Sequence, residues 1–181
     1  MKRYNIISLV VAAVATIVLV LATFMNFDEV KDSYNIYLLV LWMASFAGVA
    51  LLSFFDKLSK WYIIPVLLAA VVSNIFLGSY LTAGTTQNTL SVIIELGFYV
   101  ALVFALFKKQ KWACIYVIVY LAYSIVPFLN LLQSTTGQNL FFAEYSIIAM
   151  VLLIASEIVY FIAPLTEKKK VEESKEETKE E

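Results

Sequence analysis

The sequence contains no histidine and only one cysteine, Cys114. Without histidine the chain cannot form a Ser-His-Asp triad or a zinc or haem site that uses a histidine ligand. A single cysteine cannot form a disulfide within the chain or a thiolate metal cluster. The five glycines form no glycine-rich phosphate loop. We therefore expect a protein that is not an enzyme and that holds no metal and no cofactor.

Charged residues are also scarce. They make up 15% of the 181 residues, whereas 62% are hydrophobic and the mean hydropathy is +0.85. A soluble domain has about 25% charged residues. No basic patch with interleaved aromatic residues is present, so nucleic acid is not an expected partner. The composition predicts an integral membrane protein whose immediate partner is the lipid bilayer.

Six long apolar runs predict an all-α fold, a polytopic bundle of six transmembrane helices. A bilayer core needs about 20 helical residues, and helices satisfy their own backbone groups in lipid. The predicted spans are about 6–25, 35–55, 61–81, 90–107, 112–132 and 140–165. The first run follows Lys2 and Arg3, as in a signal peptide, but its length favours a retained helix. The charged tail, 166–181, has almost nothing apolar to bury and is expected to be disordered.

Positive charge alternates between the loops. Twelve of the 13 basic residues lie before the first run, in every second gap, or after the last run. Only Lys31 lies in the remaining gaps. By the positive-inside rule this pattern places both termini in the cytoplasm and predicts a multi-pass protein of the plasma (cytoplasmic) membrane.

Two of the cytoplasmic gaps resemble each other. At an offset of 51 residues, Lys60-Trp61 coincides with Lys111-Trp112, and several polar loop residues coincide as well. One hypothesis is three tandem helical hairpins inserted in the same direction. The alternative is that any alternating topology produces such Lys-Trp pairs at the membrane interface.

Polar residues inside the spans are candidates for a functional site, because they are costly in lipid. Counting about 1.5 Å per residue from the nearest cytoplasmic charge puts one polar group of each helix near one level. This layer comprises Thr16, Ser45, Asn74, Glu95, Ser124 and Glu157, with Tyr123 as a further hydroxyl. The hypothesis is a site for a small solute or cation near the midplane. The alternative is that the hydroxyls bond their own helices or hold helices together.

Small residues four apart predict where helices approach closely. The predicted packing stripes are Ser8, Ala12 and Thr16 on the first helix, Ala44 and Gly48 on the second, and Gly97, Ala101 and Ala105 on the fourth. These stripes serve packing within the chain, a homo-oligomer or contact with another membrane protein.

Two functions are compatible with these features. In size, span number, cytoplasmic ends and the stripe on the first helix, the chain resembles the substrate-binding subunits of energy-coupling-factor vitamin transporters, without a shared motif. The resemblance implies a small-solute or cation binding protein or a transporter membrane subunit. The alternative is a non-transporting accessory subunit that supports a partner complex, secretion or self-protection.

Overall fold

A computed structural model describes residues 3–25, 27–28, 36–54, 60–81, 89–126 and 140–180. Six long helices account for most of them: α1 (Arg3–Met25), α2 (Ile36–Phe54), α3 (Ile63–Leu81), α4 (Thr89–Lys108), α5 (Lys111–Tyr123) and α6 (Leu140–Glu180). The all-helical prediction is confirmed for this part of the chain. Apart from the ends of α5 and α6, every helix boundary lies within three residues of the predicted span.

Three helical segments are long and apolar enough to cross a membrane: Tyr4–Met25, Ile36–Phe54 and Phe141–Ala163. Two shorter apolar helical segments, Ile63–Val72 and Lys111–Tyr123, accompany them. The outward faces are also apolar, as shown by the exposed side chains of Val10, Ile17 and Leu21 on α1. A helix that is hydrophobic on all sides is typical of a membrane span, and the fold is consistent with a membrane protein.

The helices follow one another around a closed ring. α1 packs against α2 and α6, α2 packs against α3, and α5 packs against α4 and α6. Smaller contacts join α3 to α4 and α2 to α6. The first helix therefore lies beside the last, and residues far apart in sequence meet along that contact.

The contact between α1 and α6 uses small residues at a heptad spacing. The buried residues of α1 are Asn5, Ser8, Ala12, Ala15, Leu19 and Ala22 in this series, and Thr23 beside its last member. The matching buried series on α6 is Phe142, Ser146, Ala149, Leu153 and Ser156. Alternating steps of three and four residues keep such a series facing one partner along the helix. The predicted stripe with steps of four was therefore wrong beyond Ala12, because Ala15 is buried whereas Thr16 is only half-buried.

The two glycines of the predicted packing stripes, Gly48 and Gly97, lie where neighbouring helices approach closely. A Cβ atom added at Gly97 would lie 2.6 Å from the Tyr116 hydroxyl oxygen, and one added at Gly48 would lie 2.9 Å from Cβ of Pro65. Ala101 and Ala105 are buried, as a packing stripe on α4 requires. Ala44 is exposed, so the described residues do not cover it as a packing position on α2 would be covered.

Helix α5 is shorter than its predicted span. It ends at Tyr123, and the backbone N–H of Ser124 donates to the carbonyl oxygen of Tyr120 at 2.9 Å. Residues 125–126 are again helical, and the rest of the predicted span lies outside the described residues. Pro127 follows in the sequence, and it lacks the backbone N–H that would bond to the carbonyl of Tyr123 if the helix continued.

The charged tail differs from the expectation of disorder. α6 runs for 41 residues without a break and ends at Glu180. Glutamate and lysine have high helix propensity, and extending an existing helix avoids the cost of nucleation. Lys168 precedes Glu172 by four residues and Lys169 precedes Glu173 by four, the spacing at which opposite charges favour a helix.

Candidate functional site

Three hydroxyl groups of the predicted midplane layer are used within their own helices. The Thr16 hydroxyl donates to the Ala12 carbonyl at 2.8 Å. The hydroxyl of Ser45 donates to the carbonyl of Trp42 at 2.6 Å, and the hydroxyl of Ser124 donates to the carbonyl of Leu121 at 2.8 Å. Such bonds to a preceding carbonyl satisfy a hydroxyl inside an apolar helix.

Glu157 lies at a different level from Thr16, another member of that layer. Its neighbour Ser156 bonds to Ser8 of α1, which fixes the height of both residues. Ser8 lies five residues after Arg3, about 7.5 Å along the helix, and Thr16 lies about 12 Å beyond Ser8. Glu157 is therefore near the end of the bundle that carries Arg3, and it does not share one level with Thr16. The side chain of Asn74 lies outside the described residues.

The surroundings of Glu157 form the most enclosed polar cluster that the described residues show. The Glu157 side chain is 3% exposed and that of Tyr62 is 0% exposed. The Tyr62 hydroxyl lies within electrostatic range of Glu157 and beside Ser8. Together with Ser156, these residues bring four side-chain oxygen groups to one place. We call Ser8, Tyr62, Ser156 and Glu157 the Glu157 site.

Aromatic packing holds Tyr62 in this cluster. Tyr62 lies in the turn that precedes α3, and its ring stacks on Tyr160 of α6 at 4.0 Å between centroids and 15° between planes. Phe161 meets the same ring edge-on at 6.3 Å and 73°. Stacked and edge-on ring pairs each stabilise a fixed ring position. The tyrosine therefore anchors the start of α3 to α6 and keeps its hydroxyl among the polar groups.

The Tyr62 hydroxyl lies close to the Ser8 hydroxyl, but that hydroxyl is engaged with Ser156, and Tyr62 makes no hydrogen bond of good geometry among the described residues. Leaving a buried hydroxyl unpaired costs about 1–3 kcal/mol, and such groups are rare enough to need an explanation. A bound ligand would explain the unpaired hydroxyl if it accepted a hydrogen bond from the phenol O–H or if the phenol oxygen coordinated it. Within the described part of the chain, no three Cys, Asp or Glu side chains cluster, and the carboxylate of this site is that of Glu157. Its oxygen groups and single negative charge suit a proton or a monovalent cation.

The second acid inside a span, Glu95, has separate surroundings on α4. The Tyr99 hydroxyl donates to Oε1 of Glu95 at 2.8 Å, one helical turn along the same helix. Tyr120 of α5 lies within electrostatic range of the same carboxylate and stacks on Phe98 at 4.2 Å. Tyr123 is 64% exposed and points away from any enclosed site. The structure thus separates Glu95 from Glu157, which the predicted layer had joined.

Sequence reasoning missed Tyr62 and Ser156. Tyr62 follows Lys60 and Trp61, a pair that the sequence places at the membrane interface, and no separate role was predicted for Tyr62. Trp61 is exposed as a belt residue would be, whereas Tyr62 is fully buried. Ser156 precedes Glu157 directly, and two adjacent polar residues in an apolar run were the available signal.

No family model, curated protein or solved structure matches the chain. Its function therefore has to be argued from the buried polar groups and their surroundings.

Proposed function

We propose that the chain is a six-span protein of the cytoplasmic membrane that binds a proton or a small monovalent cation at the Glu157 site, in a small-solute or cation transport role. The observation that carries the proposal is a nearly fully buried carboxylate beside a buried phenol that lacks a partner. Ionisable groups inside a membrane protein mark ion and proton pathways.

The alternating lysines support six spans with both termini in the cytoplasm. Three long apolar helices and two shorter ones are compatible with that topology. At the proposed cytoplasmic side, Trp61 and Trp112 are 59% and 53% exposed. Each follows a lysine in the sequence, which is the arrangement expected where a helix enters the headgroup region.

Charge balance favours a cationic ligand at Glu157. No basic residue lies in any predicted span, and burial is the influence that the described residues exert on the Glu157 carboxylate. A buried carboxylate without compensation is strongly unfavourable. Binding of a proton or a monovalent cation removes the net charge, and the hydroxyl oxygens of Ser8, Tyr62 and Ser156 supply further contacts.

Thermal unfolding of the purified protein in detergent tests cation binding. Lithium, sodium and potassium chloride are compared with choline chloride, for the wild type, Glu157→Gln and Glu144→Gln. Glu144 is the matched control, because it is a half-buried acid near the other end of the same helix. A ligand at 100 times its Kd stabilises by about 2.7 kcal/mol, which raises Tm by about 5–10 °C for a chain of this size.

We expect one inorganic cation to raise Tm in the wild type and in Glu144→Gln, but not in Glu157→Gln. If the ligand is a proton, no inorganic cation raises Tm. In that case proteoliposomes with an entrapped pH dye show proton uptake that Glu157→Gln abolishes and Glu144→Gln retains. The proposal fails if Glu157→Gln behaves like the wild type in both assays.

A second candidate function is a non-transporting accessory subunit. The observation that favours it is that Thr16, Ser45 and Ser124 donate to their own helices, so these hydroxyls line no polar path through the bundle. Affinity purification from mildly solubilised membranes is the test. Recovery of a stoichiometric membrane partner would support the accessory role, and recovery of the chain alone would count against it.

A further inference from the structure

We infer that the turn between α4 and α5 binds an anionic phospholipid. The phosphate of the lipid contacts Lys108, Lys109 and Lys111, and its acyl chains lie along the apolar outer faces of the two helices. We call these three lysines and Trp112 the turn site. The inference goes beyond the proposed function, because it uses no residue of the Glu157 site. It takes from the proposed topology only that the turn lies at the cytoplasmic surface of the membrane.

The turn site carries three positive charges within four positions of the chain. Lys108 ends α4, Lys111 begins α5, and Lys109 lies between them. All three side chains are exposed. No acidic residue occurs between Glu95 and Glu144, so α4 and α5 supply no carboxylate within about 20 Å of Lys108 along either helix. Lysines at a membrane surface attract anionic headgroups, and each one raises the affinity by about a factor of five.

The backbone of the turn is bonded to both helices. The Gln110 N–H donates to the Phe104 carbonyl at 3.5 Å, and the Cys114 N–H donates to the Gln110 carbonyl at 3.0 Å. Lys109 has a φ of 49°, a left-handed conformation that glycine adopts easily and that is unfavourable for a residue with a Cβ atom. The chain therefore has a lysine where the backbone geometry favours glycine, and binding of an anion by its charge accounts for that residue.

Two aromatic side chains position the ammonium group of Lys108. Its nitrogen lies 5.4 Å from the centroid of the Phe104 ring. Trp112 of α5 contacts the same ring, with 5.5 Å between centroids and 45° between planes. Trp112 is exposed, as is typical of a tryptophan in the headgroup region, where the indole N–H donates to polar groups. A cation from α4 and an N–H donor from α5 are thus brought together on one ring.

Apolar side chains continue from the lysines toward the interior of the membrane. On α5, Lys111, Ile115 and Val119 follow one another in steps of four residues, and all three are exposed. Residues four apart lie on one face of a helix. On α4, Val103 and Phe107 precede the final lysine and are exposed as well. Each helix therefore has a cation at the headgroup level and apolar side chains below it, which is the order of charge and hydrocarbon in a phospholipid.

Native mass spectrometry of the purified protein in a neutral detergent tests the inference. Dioleoylphosphatidylglycerol is titrated as the anionic lipid, and dioleoylphosphatidylcholine, which has the same acyl chains, is the zwitterionic control. The variants are Lys109→Gly, Lys111→Gln and their combination. The charge-matched control combines Lys175→Gln with Lys179→Gln, in the charged part of α6.

We expect the wild type to bind the anionic lipid more tightly than the zwitterionic lipid. The affinity for the anionic lipid should fall about fivefold in each single variant of the turn and about 25-fold in their combination. The control variant should keep the wild-type affinity, and the affinity for phosphatidylcholine should be the same in all variants.

Lys109→Gly separates lipid binding from stability. Glycine adopts a positive φ without the cost of a Cβ atom. This variant should therefore resist unfolding by SDS as well as the wild type or better, while its affinity for the anionic lipid falls. A purely structural role for Lys109 would not produce that combination.

Three results would overturn the inference: equal affinity of the wild type for the two lipids, an unchanged affinity in the double variant of the turn, or an equal loss in the control variant. Free glycerol phosphate is the competing ligand. If it binds as tightly as the lipid and with the same losses, the occupant is a soluble phosphate and the lipid assignment is wrong. None of these measurements involves Glu157, so they succeed or fail independently of the proposed function.

Discussion

Ser8 and Ser156, 148 residues apart in the sequence, exchange hydrogen bonds between the first and the last helix. The Ser156 hydroxyl donates to the Ser8 carbonyl at 2.7 Å, and the Ser8 hydroxyl donates to the Ser156 carbonyl at 3.1 Å. The two hydroxyl oxygens are 2.9 Å apart and both side chains are fully buried. The pair joins α1 to α6 at the level of Glu157.

A double-mutant cycle on this pair measures its contribution to stability. Ser8→Ala and Ser156→Ala should each lower the free energy of unfolding, and the double variant should lose less than the sum. Polar contacts between membrane helices have coupling energies of about 0.6 kcal/mol and at most about 1.7 kcal/mol, so we expect a coupling in that range. Unfolding in mixed micelles with increasing SDS is the measurement.

The matched control for the cycle is Ser53→Ala. Ser53 is fully buried, but its hydroxyl donates to the Ala50 carbonyl of its own helix. Its coupling to Ser8 should be close to zero. A coupling between Ser8 and Ser156 no larger than this control value would show that the bonds contribute nothing to holding α1 and α6 together.

Gly97→Ala should destabilise the contact between α4 and α5. The new methyl group would lie 2.6 Å from the Tyr116 hydroxyl oxygen and 3.1 Å from its Cζ atom, so Tyr116 has to move and its bond to Ile94 is lost. Overpacking of this kind costs about 1–3 kcal/mol. Adding Tyr116→Phe removes the nearest atom and should recover part of the loss. Equal stability of Gly97→Ala and the wild type would contradict the close approach.

Gly48→Ala should destabilise the contact between α2 and α3. Its methyl group would lie 2.9 Å from Cβ of Pro65, and a proline ring cannot rotate away as a longer side chain can. We expect a loss of about 1–3 kcal/mol in the same SDS titration. Ala44→Leu is the control on the same helix face, since Ala44 is exposed; a comparable loss there would mean that residue size on α2 matters everywhere.

Tyr62→Phe should separate stability from binding. Removing a buried hydroxyl without a partner should leave the free energy of unfolding unchanged or raise it by up to about 1–3 kcal/mol. If the phenol oxygen contacts the ligand of the Glu157 site, the same change should reduce the rise in Tm that the ligand produces. Thermal unfolding with and without ligand gives both quantities. A stability loss above about 1 kcal/mol without ligand, which is the size of one hydrogen bond, would show that the hydroxyl is paired.

Val171→Pro should end α6 near Lys170. Proline lacks the backbone N–H and clashes with the preceding turn, which costs about 3 kcal/mol or more in a helix interior. We expect the variant to lose the helical structure of about ten residues. The helical signal in far-ultraviolet circular dichroism, read at about 222 nm, should fall accordingly. The Tm of the bundle should not change. An unchanged dichroism signal would indicate that the tail is not helical in solution.

The sequence was a good guide to the helices and a poor one to their contacts. Helix ends such as Met25 and Leu81 coincide with the predicted spans, because long apolar runs bounded by polar residues leave few alternatives. The stripe through Thr16 was misplaced because steps of four and steps of about 3.5 residues differ by only one residue after two steps. Lateral packing decides between them, and a single sequence does not record it.

The predicted functional residues differ from those found in the structure for a related reason. Height counted from flanking lysines assumed that each helix ends at its basic residues. α6 continues through Lys168 to Glu180 without a break, so counting back from Lys168 placed Glu157 too far into the bundle. Tyr62 was overlooked because its burial depends on Tyr160 and Phe161, which are about 100 positions away in the sequence.

The pairing of α1 with α6 has a consequence for biosynthesis. The ribosome completes α1 at Met25 and does not reach Leu140 until 115 residues later. At about 5–20 residues per second, this interval lasts roughly 6–25 s. Throughout it, Ser8 and the small-residue face of α1 lack the surface that covers them in the finished protein. Until the last helix is inserted, this packing face of α1 is therefore exposed to lipid, to the insertion machinery or to neighbouring proteins.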